Sequence, residues 1–248
     1  MTVPVVKRAI VFLAWGDKAV SETCKCLERS ILPDCPVYFL TDEATDTAGL
    51  PEHVIVRICD FGVDGKGRKS ALLAWLPPEI ETALFLDIDT VVLDDISLGF
   101  DMAEKWGIAI AHAPHYDLAS FRDFQQIMRA EGVEPRGQAV CNSGVVFFRP
   151  HDPAVRRVFD RGLALARKHG GVPWGDQLFL SLAMVMEDFN PYTLSPAFNH
   201  RGFGEMISGP LRIWHSYTDM PEGYERLEKG WLYRVEKGKF VRARKVPI

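Results

Sequence analysis

The hydrophobic positions of the chain form short uninterrupted runs that alternate with amphipathic stretches. The first third contains four such runs, each typical of a buried strand: residues 9–14, 36–40, 54–58 and 83–86. Residues 17–32 carry apolar side chains at helical spacing behind Asp17, a residue type that caps helices. Residues 69–76 predict a further helix, which Pro77 ends. Strands that alternate with helices in this way predict an α/β fold, with a mostly parallel sheet flanked by helices.

The second half of the chain has a less regular pattern, and no repeat, low-complexity tract or linker divides it from the first. Its apolar runs predict three strands and three helices: strands at 107–111, 144–148 and 211–214, and helices at 120–131, 154–168 and 176–186. We therefore expect a single domain over residues 1–248.

Two carboxylates follow the fourth predicted strand, at Asp87 and Asp89. Residues i and i+2 of a strand point to the same side, so both carboxylates are aimed at one place and repel each other unless a cation lies between them. Mg²⁺ or Mn²⁺ suits such oxygen ligands and leaves positions for phosphate oxygens. The plainer alternative is a strand-end turn with two solvated aspartates.

Composition narrows the range of partners. The formal net charge of −4 gives no sign of nucleic acid as a partner. No stretch approaches the roughly 18 consecutive apolar residues of a membrane span, and the five cysteines show no CxxC spacing. We expect no transmembrane segment and a cytoplasmic protein, with peripheral contact at a membrane as the other option.

Several segments together resemble the glycogenin-like, family-eight glycosyltransferases. Residues 84–96, which contain Asp87-Ile88-Asp89, are similar to the DxD segment of that family. Three later matches follow in the family's order: Asn142-Ser143-Gly144 ahead of an apolar strand, Asp176-Gln177 at the start of an apolar helix, and His215 at the end of a short strand. The resemblance spans roughly residues 9–216.

The resemblance implies a GT-A type, Rossmann-like mixed sheet and a metal-dependent transferase that takes a sugar from a nucleotide-diphosphate sugar, with a uridine nucleotide. It implies Mn²⁺ or Mg²⁺ bound by Asp87, Asp89 and His215, and retention of anomeric configuration, with Gln177 and Asp176 as the catalytic residues. The implied donor-binding residues are Ala14, Trp15, Gly16, Asp42, Arg68, Lys69, Asp87, Ile88, Asp89, Asn142, Ser143 and Gly144.

On this interpretation residues 1–98 form a nucleotide-binding half, residues 99–225 an acceptor and sugar half, and residues 226–248 a basic C-terminal tail. We expect the tail to be a solvated pair of strands; contact with an acidic acceptor or an anionic membrane surface is the alternative. The sequence leaves the acceptor open among glycan, lipid-linked sugar, protein and small molecule, and leaves the oligomeric state unknown.

One departure from the family concerns the segment after His215, which lacks the Lys-Pro-Trp element of several members. The diphosphate contact on that side is therefore open, with Lys229, Lys237 or another tail cation as candidates.

Three alternatives also stay open. Asp87 fits the aspartyl nucleophile of haloacid-dehalogenase-like phosphatases, although that motif normally lies on the first strand of its domain. A non-catalytic module that binds sugar nucleotides is the second. The third is an inverting transferase, in which Asp117, Asp176 or Asp188 deprotonates the acceptor.

Overall fold

The computed structural model describes residues 7–63, 65–170 and 175–246. Its strands are β1 (Arg8–Leu13), β2 (Val37–Thr41), β3 (Val54–Ile58), β4 (Thr82–Leu86), β5 (Thr90–Val92), β6 (Ile108–Asp117), β7 (Ala139–Phe148), β8 (Tyr192–Leu194), β9 (Ile213–His215), β10 (Trp231–Glu236) and β11 (Lys239–Lys245). Its α-helices are α1 (Ala19–Arg29), α2 (Ser97–Trp106), α3 (Arg122–Ala130), α4 (Pro153–His169) and α5 (Gly175–Met186). A 3₁₀ helix covers Gly65–Trp75, and shorter 3₁₀ turns lie at Leu118–Ser120, Pro196–Phe198 and Tyr224–Arg226.

The central sheet of the described residues has seven strands, in the order β3-β2-β1-β4-β7-β6-β8. Neighbouring strands run parallel except at β7, which is antiparallel to both β4 and β6. The structure thus confirms the predicted α/β architecture with a mostly parallel sheet. Residues 9–12 of β1 are completely buried, as expected for a central strand that is covered on both faces.

Alternate residues of the central strands feed two separate apolar clusters. Val11 and Phe85 point to the face covered by α3, α4, α5 and the 3₁₀ helix. Phe12 and Leu84 point to the opposite face, where α1 and α2 pack. This division follows from the period-two geometry of strands, and it covers both faces of the sheet with apolar side chains.

Outside the central sheet, β5 pairs antiparallel with β9, and β10 pairs antiparallel with β11. A third apolar cluster joins these two ribbons through Trp214 of β9 and Tyr233 of β10. The C-terminal segment therefore packs against the ribbon that carries His215. Among the described residues, no helix has both the length and the apolar character needed to cross a bilayer.

The structure corrects several local predictions. Helix α1 begins at Ala19 and has no side-chain cap; Gly16 has a φ of 84°, and the N–H of Ala19 donates to the Gly16 carbonyl, so Asp17 lies in a turn instead of capping the helix. The segment predicted as a helix from residue 69 is a 3₁₀ helix that starts at Gly65, where nearby glycines disfavour α-helix.

The strand predicted at 144–148 is longer than expected. Because β7 begins at Ala139, Asn142, Ser143 and Gly144 lie inside the strand instead of ahead of it. Asn142 and Ser143 are buried there, and both form hydrogen bonds with protein groups. A buried polar residue with such partners is compatible with a strand, but it interrupts the apolar pattern from which the strand was predicted.

Candidate active site

The three predicted metal ligands converge at the carboxyl end of β4. Asp87 and Asp89 follow that strand directly, and the pairing of Thr90 with His215 in the β5–β9 ribbon places His215 against them. His215 Nε2 lies 3.4 Å from Asp89 Oδ1 and 3.6 Å from Asp87 Oδ2. One ligand atom from each of the three residues lies within 4.8 Å of the other two, which is compact enough for one ion.

Asn199 determines which nitrogen of His215 faces the carboxylates. The Asn199 amide nitrogen donates to the backbone carbonyl of Asn142 at 3.3 Å, so the amide oxygen is turned toward His215. That oxygen lies 2.7 Å from His215 Nδ1. An amide oxygen only accepts hydrogen bonds, so Nδ1 carries a hydrogen. Nε2 is then left to hold either a proton or a metal ion between the carboxylates.

The chemistry of this donor set fits a divalent cation. The two carboxylates suit Mn²⁺ and Mg²⁺, and an imidazole nitrogen is a common ligand of divalent transition metals. Burial by itself acts to raise the pKa of Asp89, but the hydrogen bond and charge of His215, with smaller effects of the backbone and Arg201, hold that pKa below its ordinary value. Positive charge beside Asp89, from His215 or from a bound cation, therefore stabilises its carboxylate.

Gly144 explains how these groups come so close. A Cβ added at this position would lie 2.1 Å from His215 Cε1, 2.7 Å from His215 Nε2 and 2.8 Å from Asp87 Oδ2. The backbone of β7 also binds the site, because the Gly144 carbonyl accepts from the N–H of Asp87 at 2.8 Å. Only glycine leaves room for the metal ligands at this point of the strand.

Lys69 links the metal ligands to the predicted catalytic pair. Its Nζ lies 2.7 Å from Asp87 Oδ1 and 2.8 Å from Asp176 Oδ2. Burial acts to lower the pKa of Lys69, but the charges and hydrogen bonds of Asp176 and Asp87 outweigh it and raise the pKa above its ordinary value. Ser143 Oγ also donates to Asp176 Oδ2 at 2.8 Å. Asp176 is therefore buried and binds two donors, Lys69 and Ser143, in addition to its position at the start of α5.

Gln177, the next residue of α5, is held by Tyr116. Its amide nitrogen donates to the Tyr116 hydroxyl at 2.9 Å, and no group of the described residues donates to its amide oxygen. Gln177 is buried, but it borders the same cleft as the metal ligands.

Most of the predicted site residues line one cleft of about 270 Å³ at the carboxyl ends of β1 and β4. The predicted residues that line it are Ala14, Trp15, Lys69, Asp87, Ile88, Asp89, Asn142, Ser143, Asp176, Gln177 and His215. We refer to this space as the cleft. A larger cavity of about 970 Å³ lies at the amino ends of β1 and β2, beside Arg8 and Pro36. None of the predicted site residues lines that cavity, so the cleft is where the chemistry converges.

Three of the other predicted residues form a group beside the cleft. Asp42 ion-pairs with Arg68 at 2.7 Å and accepts a hydrogen bond from Thr45, which in turn accepts from the N–H of Gly16. The hydrogen bond from Arg68 lowers the pKa of Asp42 below its ordinary value. The Arg68 guanidinium carbon lies 4.5 Å from the ring centroid of Trp15. Asp42 and Arg68 border a separate cavity of about 730 Å³, so of the two cations predicted to meet phosphate, Lys69 alone lines the cleft.

Two aspartates considered as general bases for inversion lie elsewhere. Asp117 accepts from Ser120 Oγ at 3.0 Å, and Asp188, in the turn after α5, borders a different cavity. Asp176 lines the cleft, but it already binds Lys69 and Ser143.

Sequence reasoning missed Arg201 and Tyr217, which line the cleft. It marks Asn199, behind His215, only through the resemblance of Asn199-His200 to an asparagine-containing loop of the family. All three lie outside the strands and helices, where no periodic pattern marks a residue. Their closeness to His215 in the chain was the available signal.

The chain matches no protein-family model, and a comparison with curated proteins gives no match. Solved structures do match. The galactosyltransferase LgtC in complex with donor and acceptor sugar analogs has a TM-score of 0.59 and 15% identity, over 88% of this chain and 93% of that one. Mouse xyloside xylosyltransferase 1 has a TM-score of 0.57 and 16% identity, over 86% and 98%. The glycosyltransferase GlyE of Streptococcus pneumoniae has a TM-score of 0.51 and 17% identity, over 80% and 47%. These likenesses confirm the predicted fold: the chain has the GT-A type fold of these glycosyltransferases.

Proposed function

We propose that the protein is a metal-dependent glycosyltransferase that moves a sugar from a uridine diphosphate sugar to an acceptor that is itself a sugar. The observation that carries the proposal is the convergence of Asp87, Asp89 and His215 with Lys69 and the Asp176-Gln177 pair in one cleft. The cleft lies outside the carboxyl ends of the strands, where ligands of open α/β sheets bind. The solved structures that share this fold include LgtC in complex with donor and acceptor sugar analogs.

The chemistry requires positive charge at the leaving group. Cleavage of the bond between the sugar and the diphosphate builds negative charge on the phosphates, and a bound Mn²⁺ or Mg²⁺ stabilises that charge as it develops. In this chain Asp87, Asp89 and His215 would hold the cation. Lys69 offsets the repulsion between Asp87 and Asp176, and so keeps the metal site and the catalytic pair at a fixed separation.

We further propose that the reaction retains configuration. An inverting enzyme needs a carboxylate that deprotonates the acceptor, whereas Asp176, the candidate that lines the cleft, is bonded to Lys69 and Ser143. Gln177 supplies a neutral amide oxygen beside the same cleft. The fold neighbours also include an active-site mutant of LgtC in which glutamate replaces glutamine, with a TM-score of 0.60 and 14% identity, so a glutamine belongs to the active site of that enzyme.

The donor is proposed to enter between β1 and the metal ligands. Ala14 and Trp15 line the cleft at the exit of β1, and the Trp15 ring is fixed by the Arg68 guanidinium. We propose that Trp15 contacts the base and that Asn142 and Ser143 contact the sugar. Gly16, Asp42 and Arg68 support the Trp15 loop from behind.

The proposal is tested by thermal unfolding of the purified protein with UDP, GDP, CMP or ADP, each with and without Mn²⁺. A ligand at about 100 times its dissociation constant should add about 2.7 kcal/mol to the free energy of unfolding. We expect this stabilisation with UDP and Mn²⁺ together, and its loss in Asp89→Ala. Asp160→Ala is the matched control, because Asp160 is an exposed residue of α4.

Stabilisation by another nucleotide would correct the donor and keep the enzyme class. A folded protein that responds to no nucleotide would refute the transferase and direct attention to the phosphatase alternative through Asp87. An assay for hydrolysis of the sugar nucleotide, or for transfer of its sugar, then distinguishes an enzyme from a module that only binds the nucleotide.

A further inference from the structure

The cleft contains a cation that the sequence did not single out, Arg201. We propose that the Arg201 guanidinium binds the diphosphate of the nucleotide donor and takes the place of the Lys-Pro-Trp element that this chain lacks. The inference rests on the proposed function, because it assigns a ligand group within the same cleft.

Arg201 lies on the segment between the 3₁₀ turn at Pro196–Phe198 and β9, and it lines the cleft with Asp89, His215 and Tyr217. Arg201 therefore borders the same space as the metal ligands.

The segment holds Arg201 by its backbone and leaves its guanidinium available. The N–H of Arg201 donates to Glu205 Oε1 at 2.7 Å, while Glu205 Oε2 lies 3.1 Å from His115 Nε2. The guanidinium carbon lies 5.0 Å from the ring centroid of Phe203, which supports one side of the group. The Arg201 Nε is shielded from solvent and has no hydrogen-bond partner in the described part of the chain.

The neighbouring cationic side chains already form ion pairs with carboxylates. Lys69 binds two carboxylates, Asp87 and Asp176, and Arg68 binds Asp42. Over the described ranges, by contrast, no carboxylate forms an ion pair with the Arg201 guanidinium. It is thus the cation in the lining of the cleft that is available to an incoming anion.

The charge balance of the cleft gives Arg201 its importance. Asp87, Asp89 and Asp176 contribute three negative charges, Lys69 contributes one positive charge, and a divalent cation contributes two. The loaded site without Arg201 is therefore formally neutral, so a diphosphate would be attracted by the bound cation alone. Arg201 makes the site positive, and its planar fork matches two phosphate oxygens at once.

The inference is tested by isothermal titration, in the presence of Mn²⁺, of UDP, UMP, uridine and inorganic pyrophosphate against wild type, Arg201→Gln and Arg201→Lys. Arg244→Gln is the matched control, because Arg244 is an exposed residue of β11. Arg201→Gln removes a charged hydrogen-bond partner of a phosphate, so its affinity for UDP and pyrophosphate should fall about 10- to 100-fold. Uridine should bind as before, Arg201→Lys should show a smaller loss, and the Arg244→Gln protein should match wild type.

Unchanged affinity for UDP and pyrophosphate in both Arg201 variants would overturn the inference and leave the proposed function intact. An equal loss of affinity for uridine and for UDP would also overturn the inference, because uridine has no phosphate. A raised KM for the acceptor at unchanged UDP affinity would place the anion on the acceptor and would also overturn it. A wild-type protein that binds neither a nucleotide nor pyrophosphate overturns both proposals.

Discussion

At the scale of single residues, we expect substitution of Asn199 to weaken metal binding by His215. Asn199 is buried, and it joins the Asn142 carbonyl to His215 Nδ1. Leucine is similar in size to asparagine but has no acceptor oxygen. In the Asn199→Leu protein, His215 therefore loses the group that fixes its ring. Because partners behind a metal ligand typically account for 10- to 100-fold in metal affinity, we expect a loss of that size in Mn²⁺ affinity, measured from the electron paramagnetic resonance of free Mn²⁺.

A second measurement distinguishes positioning from general damage. The ¹⁵N shifts of His215 should report a hydrogen on Nδ1 in the wild type and a mixture of tautomers in the Asn199→Leu protein. Asn199→Asp keeps an acceptor oxygen toward Nδ1 and should retain the wild-type tautomer. Equal Mn²⁺ affinity and an unchanged tautomer in Asn199→Leu would show that Asn199 does not position His215.

The sequence predicted some of the site residues more readily than others, and the difference has a physical reason. Asp87 and Asp89 stand out because a buried strand precedes them and their spacing puts both on one side. Asn199 and Arg201 act through contacts with residues that are distant in the chain, such as Asn142, or through a ligand. No local pattern encodes such contacts, so only the folded chain shows them.

At the scale of elements, α2 depends on close packing against β7. A Cβ added at Gly99 would lie 2.3 Å from the Phe147 ring, and Phe147 is completely buried. We expect Gly99→Ala to lower the free energy of unfolding by about 1–3 kcal/mol, the usual cost of overpacking a core. Urea denaturation measures this, with Leu98→Ala on the exposed side of the same helix as the control.

Gly99 and Phe147 lie in the half of the fold that supports β7 from the side opposite α5. The Gly99→Ala protein should therefore bind nucleotide and Mn²⁺ with nearly wild-type affinity at temperatures where it is folded. A variant with wild-type stability would show that α2 shifts easily on the sheet, and would contradict the packing described here.

The elements that the sequence did not predict have weak local sequence patterns. Helix α2 contains Gly99, a weak helix former, and it is followed at once by β6. Strands β5 and β8 have three residues each, which is too short for a period of two to be recognised. The long strands of the central sheet were predicted because burial on both faces gives unbroken apolar runs.

At the scale of the whole molecule, the C-terminal hairpin β10–β11 supports the metal site from outside the central sheet. Tyr233 of β10 is buried in the cluster that contains Trp214, the residue before His215. Its backbone also exchanges hydrogen bonds with Ile207. The sequence predicted a solvated pair of strands in this basic tail, but it did not show that the tail packs against β9.

Tyr233→Ala should therefore affect both stability and the site. Truncation of a buried aromatic side chain costs about 3–5 kcal/mol, so we expect a lower midpoint in urea. We also expect weaker Mn²⁺-dependent nucleotide binding at temperatures where the protein is folded, because the cavity lies beside the strand that positions His215. Leu165→Ala is the control: it leaves a cavity in the separate cluster under α4 and should lower stability with little effect on binding. Equal loss of binding in both variants would mean that the site responds to global stability alone, and that the hairpin has no special part in holding His215.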